Sequence, residues 1–154
     1  MTNPAAQPLS ALDRHAIAET VTGVGFYCDV RQWDRVTELL ADDVRTDYTT
    51  LFGGEVTTAA GAALVGQWRS TLQGFDATQH LITNVQVDGA GDEATTRSHV
   101  RATHRLDDRF WIVGGVYTHH LRRCATRWRV TYMRIDRLYE EGDRAVLQEA
   151  AARG

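Results

Sequence analysis

Residues 93–123 read EATTRSHVRATHRLDDRFWIVGGVYTHHLRR, two long β-forming runs separated only by Asp107 and Asp108. A connection this short joins antiparallel neighbours in a hairpin. Similar runs flank this pair, with turns at 88–91 and 124–125, and the predicted strands are 79–88, 93–106, 109–123 and 126–138. The second half of the chain is therefore predicted to be an antiparallel meander.

The first half has helical periodicity instead. Ser10 and Asp13 have the spacing of a capping box, and apolar residues then recur at helical spacing as far as Cys28. Gly23 and Gly25 weaken this helix and indicate a close approach by another element or a ligand. Further segments are predicted as helices at about 32–40 and 60–72, a strand at 44–51 and a turn at 52–55.

Helices followed by long strands indicate an α+β fold. We expect N-terminal helices packed on a strongly curved, mixed but mostly antiparallel sheet that encloses a pocket. The division expected along the chain is a disordered or extended segment at 1–9, one domain at 10–140, and a tail or short helix at 141–154.

Composition narrows the class of protein. The chain has 154 residues, 43% of them apolar, which suits one domain with a real core. All 17 basic residues are arginine, so Schiff-base chemistry and lysine bases are excluded. Arginines are dense from Arg97 to Arg137, but alternate residues of a strand point to opposite faces, so a solvated outer face explains most of them better than a nucleic-acid groove does. The net charge is −3.

The sequence shows no motif for membrane insertion, secretion, metal binding or cofactor binding. No apolar run reaches the length of a membrane span, and residues 1–10 lack the features of a secretory signal, so a cytoplasmic protein with no membrane partner is expected. Cys28 and Cys124 have no metal-ligand spacing and are expected to be free thiols. No HExxH motif or glycine-rich phosphate loop is present, so neither a metal nor an organic cofactor is expected.

Alternation along the strands sorts the side chains by face. One set of mixed polar and apolar residues is predicted to line a partly polar pocket: His80, Val100, His104, Val113, Tyr117 and His119. Asp29 ends the first helix, where the helix dipole disfavours a carboxylate. It is either a solvent-facing turn residue or the partner that orients a histidine.

Several segments resemble scytalone dehydratase. The stretch from Cys28 to Val36 is similar to the end of that enzyme's first helix, with Asp29 at the position of its catalytic aspartate. Thr78-Gln79-His80 resembles the segment that supplies its catalytic histidine. Arg45-Thr46-Asp47-Tyr48 resembles its Asp-Tyr strand, and His104 matches its second active-site histidine when a one-residue gap is allowed.

The run Gly114-Gly115-Val116-Tyr117-Thr118, followed by Arg122-Arg123 and Trp128, is similar to hexachlorocyclohexane dehydrochlorinase, which uses the same His–Asp pair. The chain is thus identified from about 10 to 138 as a member of the SnoaL-like, or scytalone dehydratase-like, family of the nuclear transport factor 2-like superfamily. The resemblance implies the cone-shaped, cystatin-like α+β barrel and an oligomer, either a dimer or a trimer.

The sequence also departs from both relatives. Cys28 replaces a tyrosine of scytalone dehydratase, and Gly115 and Tyr117 replace a serine and an asparagine. Val24 replaces a lysine of the dehydrochlorinase, and Arg134 is offset by one residue from its active-site arginine. Neither relative's exact reaction is therefore expected.

The resemblance implies a lyase of dehydratase type acting on a compact, hydrophobic, cyclic or aromatic substrate, such as a polyketide. His80 would be the base, Asp29 its partner, Tyr48 a donor, and His104 a second acid or donor. The residues expected to bind substrate are Tyr117, Phe26, Val113, Trp68, Cys28, Val100, His119 and Arg134. Two alternatives stay open: an isomerase or cyclase with the same pair, and a non-catalytic binding protein.

Overall fold

A computed structural model describes residues 6–154, which form five helices and six strands. In chain order the elements are α1 (Ala11–Asp29), α2 (Trp33–Leu39), β1 (Leu40–Asp47), α3 (Thr49–Phe52), β2 (Thr57–Ala60), α4 (Gly61–Leu72), β3 (Ala77–Ala90), β4 (Glu93–Leu106), β5 (Arg109–Cys124), β6 (Arg127–Gly142) and α5 (Val146–Arg153). Residues 1–5 of the segment expected to be disordered or extended lie outside the described residues. Just after them, Pro8 forms an isolated antiparallel bridge to Ala90.

Helix α1 begins with the predicted capping box. The Ser10 hydroxyl accepts a bond from the Asp13 backbone N–H at 3.1 Å, and the Asp13 carboxylate accepts one from the Ser10 backbone N–H at 3.4 Å. These bonds satisfy two of the groups that a helix leaves unpaired at its start. None of the described helices is both long and apolar enough to cross a membrane.

The sheet has the strand order β2-β1-β6-β5-β4-β3. All neighbours are antiparallel except β1 and β6, which run parallel. The mixed, mostly antiparallel α+β architecture is confirmed, as is the meander of β3 to β6. The sheet ends at β2 and β3, so it forms an open, curved surface and does not close into a barrel.

Two core clusters lie on the concave side of the sheet. One joins fully buried residues of α1, α2 and β6, among them Ile17, Val21 and Val130. The other joins β4 and β5 to α5. Four partly buried residues pack against both clusters: Tyr48, Leu72, Ile82 and Tyr117. Space between the two clusters is therefore bordered by polar as well as apolar side chains.

The strand predicted at 44–51 is shifted: it spans 40–47 and is followed by the single helical turn α3. The Asp47 carboxylate accepts bonds from the Thr49 backbone N–H at 3.1 Å and the Thr49 hydroxyl at 2.7 Å. Such a side-chain bond two residues ahead turns the backbone and ends the strand. The predicted turn follows, with Gly53 and Gly54 at φ of 71° and 75°.

Candidate active site

A cavity of about 190 Å³ lies between α1, α4 and the concave face of the sheet. Side chains from α3 and α5 close part of its wall. An apolar cavity of about 150 Å³ holds a benzene molecule, so this space suits a compact cyclic compound. Most of the lining is apolar, and the polar exceptions are chiefly histidines and tyrosines.

Asp29, the last residue of α1, reaches β3 with both carboxylate oxygens. Oδ2 accepts the His80 backbone N–H at 2.6 Å, and Oδ1 bonds to the Thr78 hydroxyl at 2.9 Å and His80 Nδ1 at 2.7 Å. The Asp29 and His80 side chains are only 14% and 12% exposed. Of the two interpretations of Asp29, the orienting partner of a histidine is the one this geometry matches.

These bonds determine where the His80 proton lies. An ionised carboxylate only accepts hydrogen bonds, so Nδ1 of His80 must donate. In the neutral ring Nε2 then carries a free lone pair. His80 lines the cavity, and Nε2 has no hydrogen-bond partner within residues 6–154. The arrangement can therefore accept a proton from a molecule in the cavity.

Gly25 allows α1 to approach β3 closely enough for this contact. A Cβ atom at Gly25 would lie 2.9 Å from His80 Cβ and 3.0 Å from Ile82 Cδ1, closer than such atoms pack. The expectation that a glycine of α1 marks a close approach is thus confirmed at Gly25. Gly23 is different, because its nearest neighbour is the flexible end of the Leu39 side chain.

Gly25→Ala is expected to displace His80 from Asp29 and to lower the free energy of unfolding by about 1–3 kcal/mol through overpacking. Differential scanning calorimetry measures the stability, and the His80 ring signals in NMR report the displacement. Gly23→Ala is the matched control, since alanine there gains about 1 kcal/mol of helix propensity. Equal effects of the two substitutions would contradict the close approach at Gly25.

His104 lies beside His80, with ring centroids 5.6 Å apart. Its Nδ1 donates to the Trp111 carbonyl oxygen at 3.2 Å, which leaves Nε2 as an acceptor. Burial, and then the nearby His80, lower the pKa of His104 to about 3. This neutral ring has no proton to give from Nε2, so the expected role as an acid or donor does not fit. His104 can instead accept a bond from a substrate hydroxyl.

Two tyrosines offer hydroxyl groups. The Tyr48 hydroxyl donates to Met133 Sδ at 3.1 Å, a weak acceptor that a substrate oxygen could replace. Burial raises the pKa of Tyr48 well above its ordinary value. Burial, with Cys28 and Asp29 nearby, likewise raises the pKa of Tyr117. Both phenols therefore keep their protons at neutral pH and can donate hydrogen bonds into the cavity.

Several other predicted binding residues line the cavity: Cys28, Trp68, Val113 and His119. Burial, reinforced by Asp29, raises the pKa of the Cys28 thiol to about 12. Because the thiolate is the reactive form, this thiol is not a nucleophile at neutral pH. Cys28 and Cys124 are both free, as the sequence predicted.

Three predicted residues lie elsewhere. Phe26 is 58% exposed, because the helical turn that aims Gly25 and Cys28 at the cavity aims it outward. Arg134 is on the convex face, bonded to Asp136 at 2.6 Å, because its neighbours on β6 point inward. Val100 is buried in the core beyond the cavity wall.

Ile82, Ala102 and Trp111 also line the cavity, as alternation along their strands predicted. Lining residues that had not been predicted from the sequence are Leu51, Phe52, Thr71, Leu72, Met133, Ile135 and Leu147. Leu147 comes from α5, the segment expected to be a tail or short helix. Val146 and Ala150, four residues apart and fully buried, gave a weak signal that this segment packs on the domain. Across the described chain, no three His, Cys, Asp or Glu side chains are grouped to hold a metal ion.

The SnoaL-like domain model matches residues 10–134. The Kfla4162 protein from Kribbella flavida is similar in structure, with a TM-score of 0.84 and 26% identity over 89% of this chain and 97% of that one. A candidate scytalone dehydratase from Novosphingobium aromaticivorans has a TM-score of 0.71 and 19% identity, over 84% and 87% of the two chains.

A type 2 hexachlorocyclohexane dehydrochlorinase is also similar, with a TM-score of 0.73 and 20% identity over 86% of this chain and 89% of that one. Likeness at these levels of identity shows a shared fold. No curated protein matches the sequence.

Proposed function

Because the chain belongs to the SnoaL-like domain family, we propose that it is a cofactor-independent lyase that acts on a compact cyclic substrate. The observation that carries the proposal is the Asp29–His80 bond at the cavity wall, which leaves His80 Nε2 free as a base. Two proteins of the same fold are named as a dehydratase and a dehydrochlorinase, and both names describe eliminations.

In the proposed reaction, His80 Nε2 removes a proton from a carbon acid in the cavity. The electrons of the broken C–H bond form a C=C bond, and the bond to the leaving group breaks on the adjacent carbon. Asp29 accepts the hydrogen bond from Nδ1 and stabilises the imidazolium as it forms. The proton on His80 then passes to the departing hydroxyl, which leaves as water.

Tyr48 and His104 have complementary parts in this proposal. The Tyr48 hydroxyl exchanges its bond to the Met133 sulfur for one to a substrate oxygen, where negative charge develops. His104 Nε2 accepts a bond from a substrate hydroxyl and so holds its orientation. A preorganised donor in a site that excludes water stabilises such charge more than one in bulk solvent.

One observation favours an isomerase as the second function. His104 is neutral and its one ring proton is bonded to Trp111, so the site holds few acids for a leaving group. A double-bond migration needs none, because His80 returns the same proton to another carbon of the substrate.

Product analysis tests the proposal. Cyclic β-hydroxy ketones and cyclic β,γ-unsaturated ketones are incubated with the protein in D₂O and followed by NMR. Elimination yields an enone and water, whereas isomerisation yields a conjugated ketone of unchanged composition. Saturable binding without turnover or deuterium exchange at carbon would instead identify a binding protein. His80→Asn is the control for solvent-catalysed exchange.

A further inference from the structure

A second polar site lies in the cavity wall, away from Asp29 and His80. His119 and Thr96 are fully buried and lie opposite each other on β5 and β4, and Ser98 is the next buried residue on the same face of β4. Four side-chain atoms of these residues lack any hydrogen-bond partner within 6–154: Thr96 Oγ1, Ser98 Oγ, His119 Nδ1 and His119 Nε2. Buried polar groups are nearly always paired, so four orphaned atoms together indicate a missing partner.

His119 is the member of this cluster that lines the same cavity as His80, and Thr96 and Ser98 lie beside it on β4. His119 lines the cavity, and its ring lies 5.2 Å from that of Tyr117. His80 is in register with Ala102, and Ala102 with Val113, six residues before His119. Six residues of strand span about 20 Å, and the concave curvature makes the direct path shorter. The two histidines thus mark separate ends of one space.

The charge of the site limits what can bind there. No arginine lines the cavity within the described residues, so nothing there would offset a buried anion. Burial, with His120 nearby, lowers the pKa of His119 to about 3, so the ring is neutral near pH 7. A neutral imidazole has one N–H donor and one acceptor, which suits a hydroxyl or a carbonyl group.

We propose that His119, flanked by Thr96 and Ser98, binds a neutral oxygen group at the far end of the ligand. The ligand is then an uncharged cyclic molecule with oxygen functions at both ends, one at His80 and one at His119. The placement of the reacting end at His80 rests on the proposed function. The binding site at His119 does not, because it is used whether or not the ligand reacts.

Matched probes that differ by one hydroxyl test this site. Calorimetry compares 2-naphthol with 2,6-dihydroxynaphthalene, and the longer 4-phenylphenol with 4,4′-biphenol. In at least one pair the diol is expected to bind about tenfold more tightly, as one well-placed hydrogen bond would give. His119→Leu keeps the side-chain volume but removes both ring nitrogens. In this variant the diol and the monohydroxy compound should bind with about equal affinity, a ratio of about one. His120→Leu, on the opposite exposed face, should keep it.

The thermal midpoint separates ligand binding from a structural role. Because His119→Leu removes two unpaired buried nitrogens, the unliganded variant should melt at the same temperature as the wild type or a few degrees higher. Two results with the wild-type protein would each overturn the proposal: equal affinities for the diol and the monohydroxy compound in both pairs, or no diol binding at about 1 mM. Two results with His119→Leu would do the same: an affinity ratio unchanged from the wild type, or a lowered thermal midpoint. The last two would indicate a cluster bridged only by ordered water. Repeating the titrations in His80→Asn keeps this question separate from catalysis.

Discussion

His80→Asn is expected to lower kcat/KM about 10²–10⁴-fold for the substrate found by product analysis. Asparagine keeps a polar side chain beside Asp29 but has no lone pair basic enough to take a proton from carbon. Binding of the substrate should change little, since the loss lies in the transition state. Steady-state kinetics on the purified variant measures the effect.

Asp29→Asn is expected to lower kcat/KM by about 10² or more, because its amide can no longer stabilise the imidazolium. The double variant should be no slower than His80→Asn alone, since the two residues act as one unit. His99→Asn is the control, because His99 is exposed and bonded to Asn84 on the outer face. Independent, multiplying effects of His80→Asn and Asp29→Asn would contradict the pairing.

Stability is expected to fall steeply as the solution is acidified from about pH 6.5. His104 and His119 have pKa values of about 3 in the folded protein, against an ordinary value of 6.5. Between these values the unfolded chain binds protons that the folded chain does not, so acid favours unfolding. The stabilisation is complete above pH 6.5 and is lost toward pH 3.

Each of these histidines contributes a slope of about 1.4 kcal/mol per pH unit, so the pair gives about 2.7. Carboxylates such as Asp47, whose pKa lies below its ordinary value of 3.8, add to the loss only at lower pH. Urea unfolding at a series of pH values measures the slope. His119→Leu should remove about half of it, with His120→Leu as the control. A flat stability curve between pH 6 and 4 would show that both rings titrate normally.

Strict alternation made the long strands predictable. Strand β4 occupies 93–106 as expected, because nearly every second residue along it is buried. Strand β1 was placed too late because the Asp47–Thr49 turn depends on a side-chain bond that periodicity does not reveal. Alternation along a strand also shows which residues share a face, but not which face is concave. The burial of the side chains in the structure identifies the concave face.

The Asp29–His80 contact could not be read from periodicity. The two residues are 51 positions apart and meet only because α1 crosses β3 at Gly25. The family resemblance supplied the pair, and the same resemblance misplaced Arg134, whose one-residue offset puts it on the opposite face of β6. The expected dimer or trimer, the cytoplasmic location and the division of the chain at 10 and 140 stay predictions.

The most direct test of the site is the tautomer of the His80 ring, observed by long-range ¹H–¹⁵N NMR on the labelled wild-type protein. The neutral ring is expected to carry its proton on Nδ1, where Asp29 accepts it, and to leave Nε2 bare toward the cavity. Asp29→Asn should redistribute the proton between the two nitrogens. A wild-type ring protonated on Nε2, or a tautomer unchanged by Asp29→Asn, would contradict the assignment of His80 as a base oriented by Asp29.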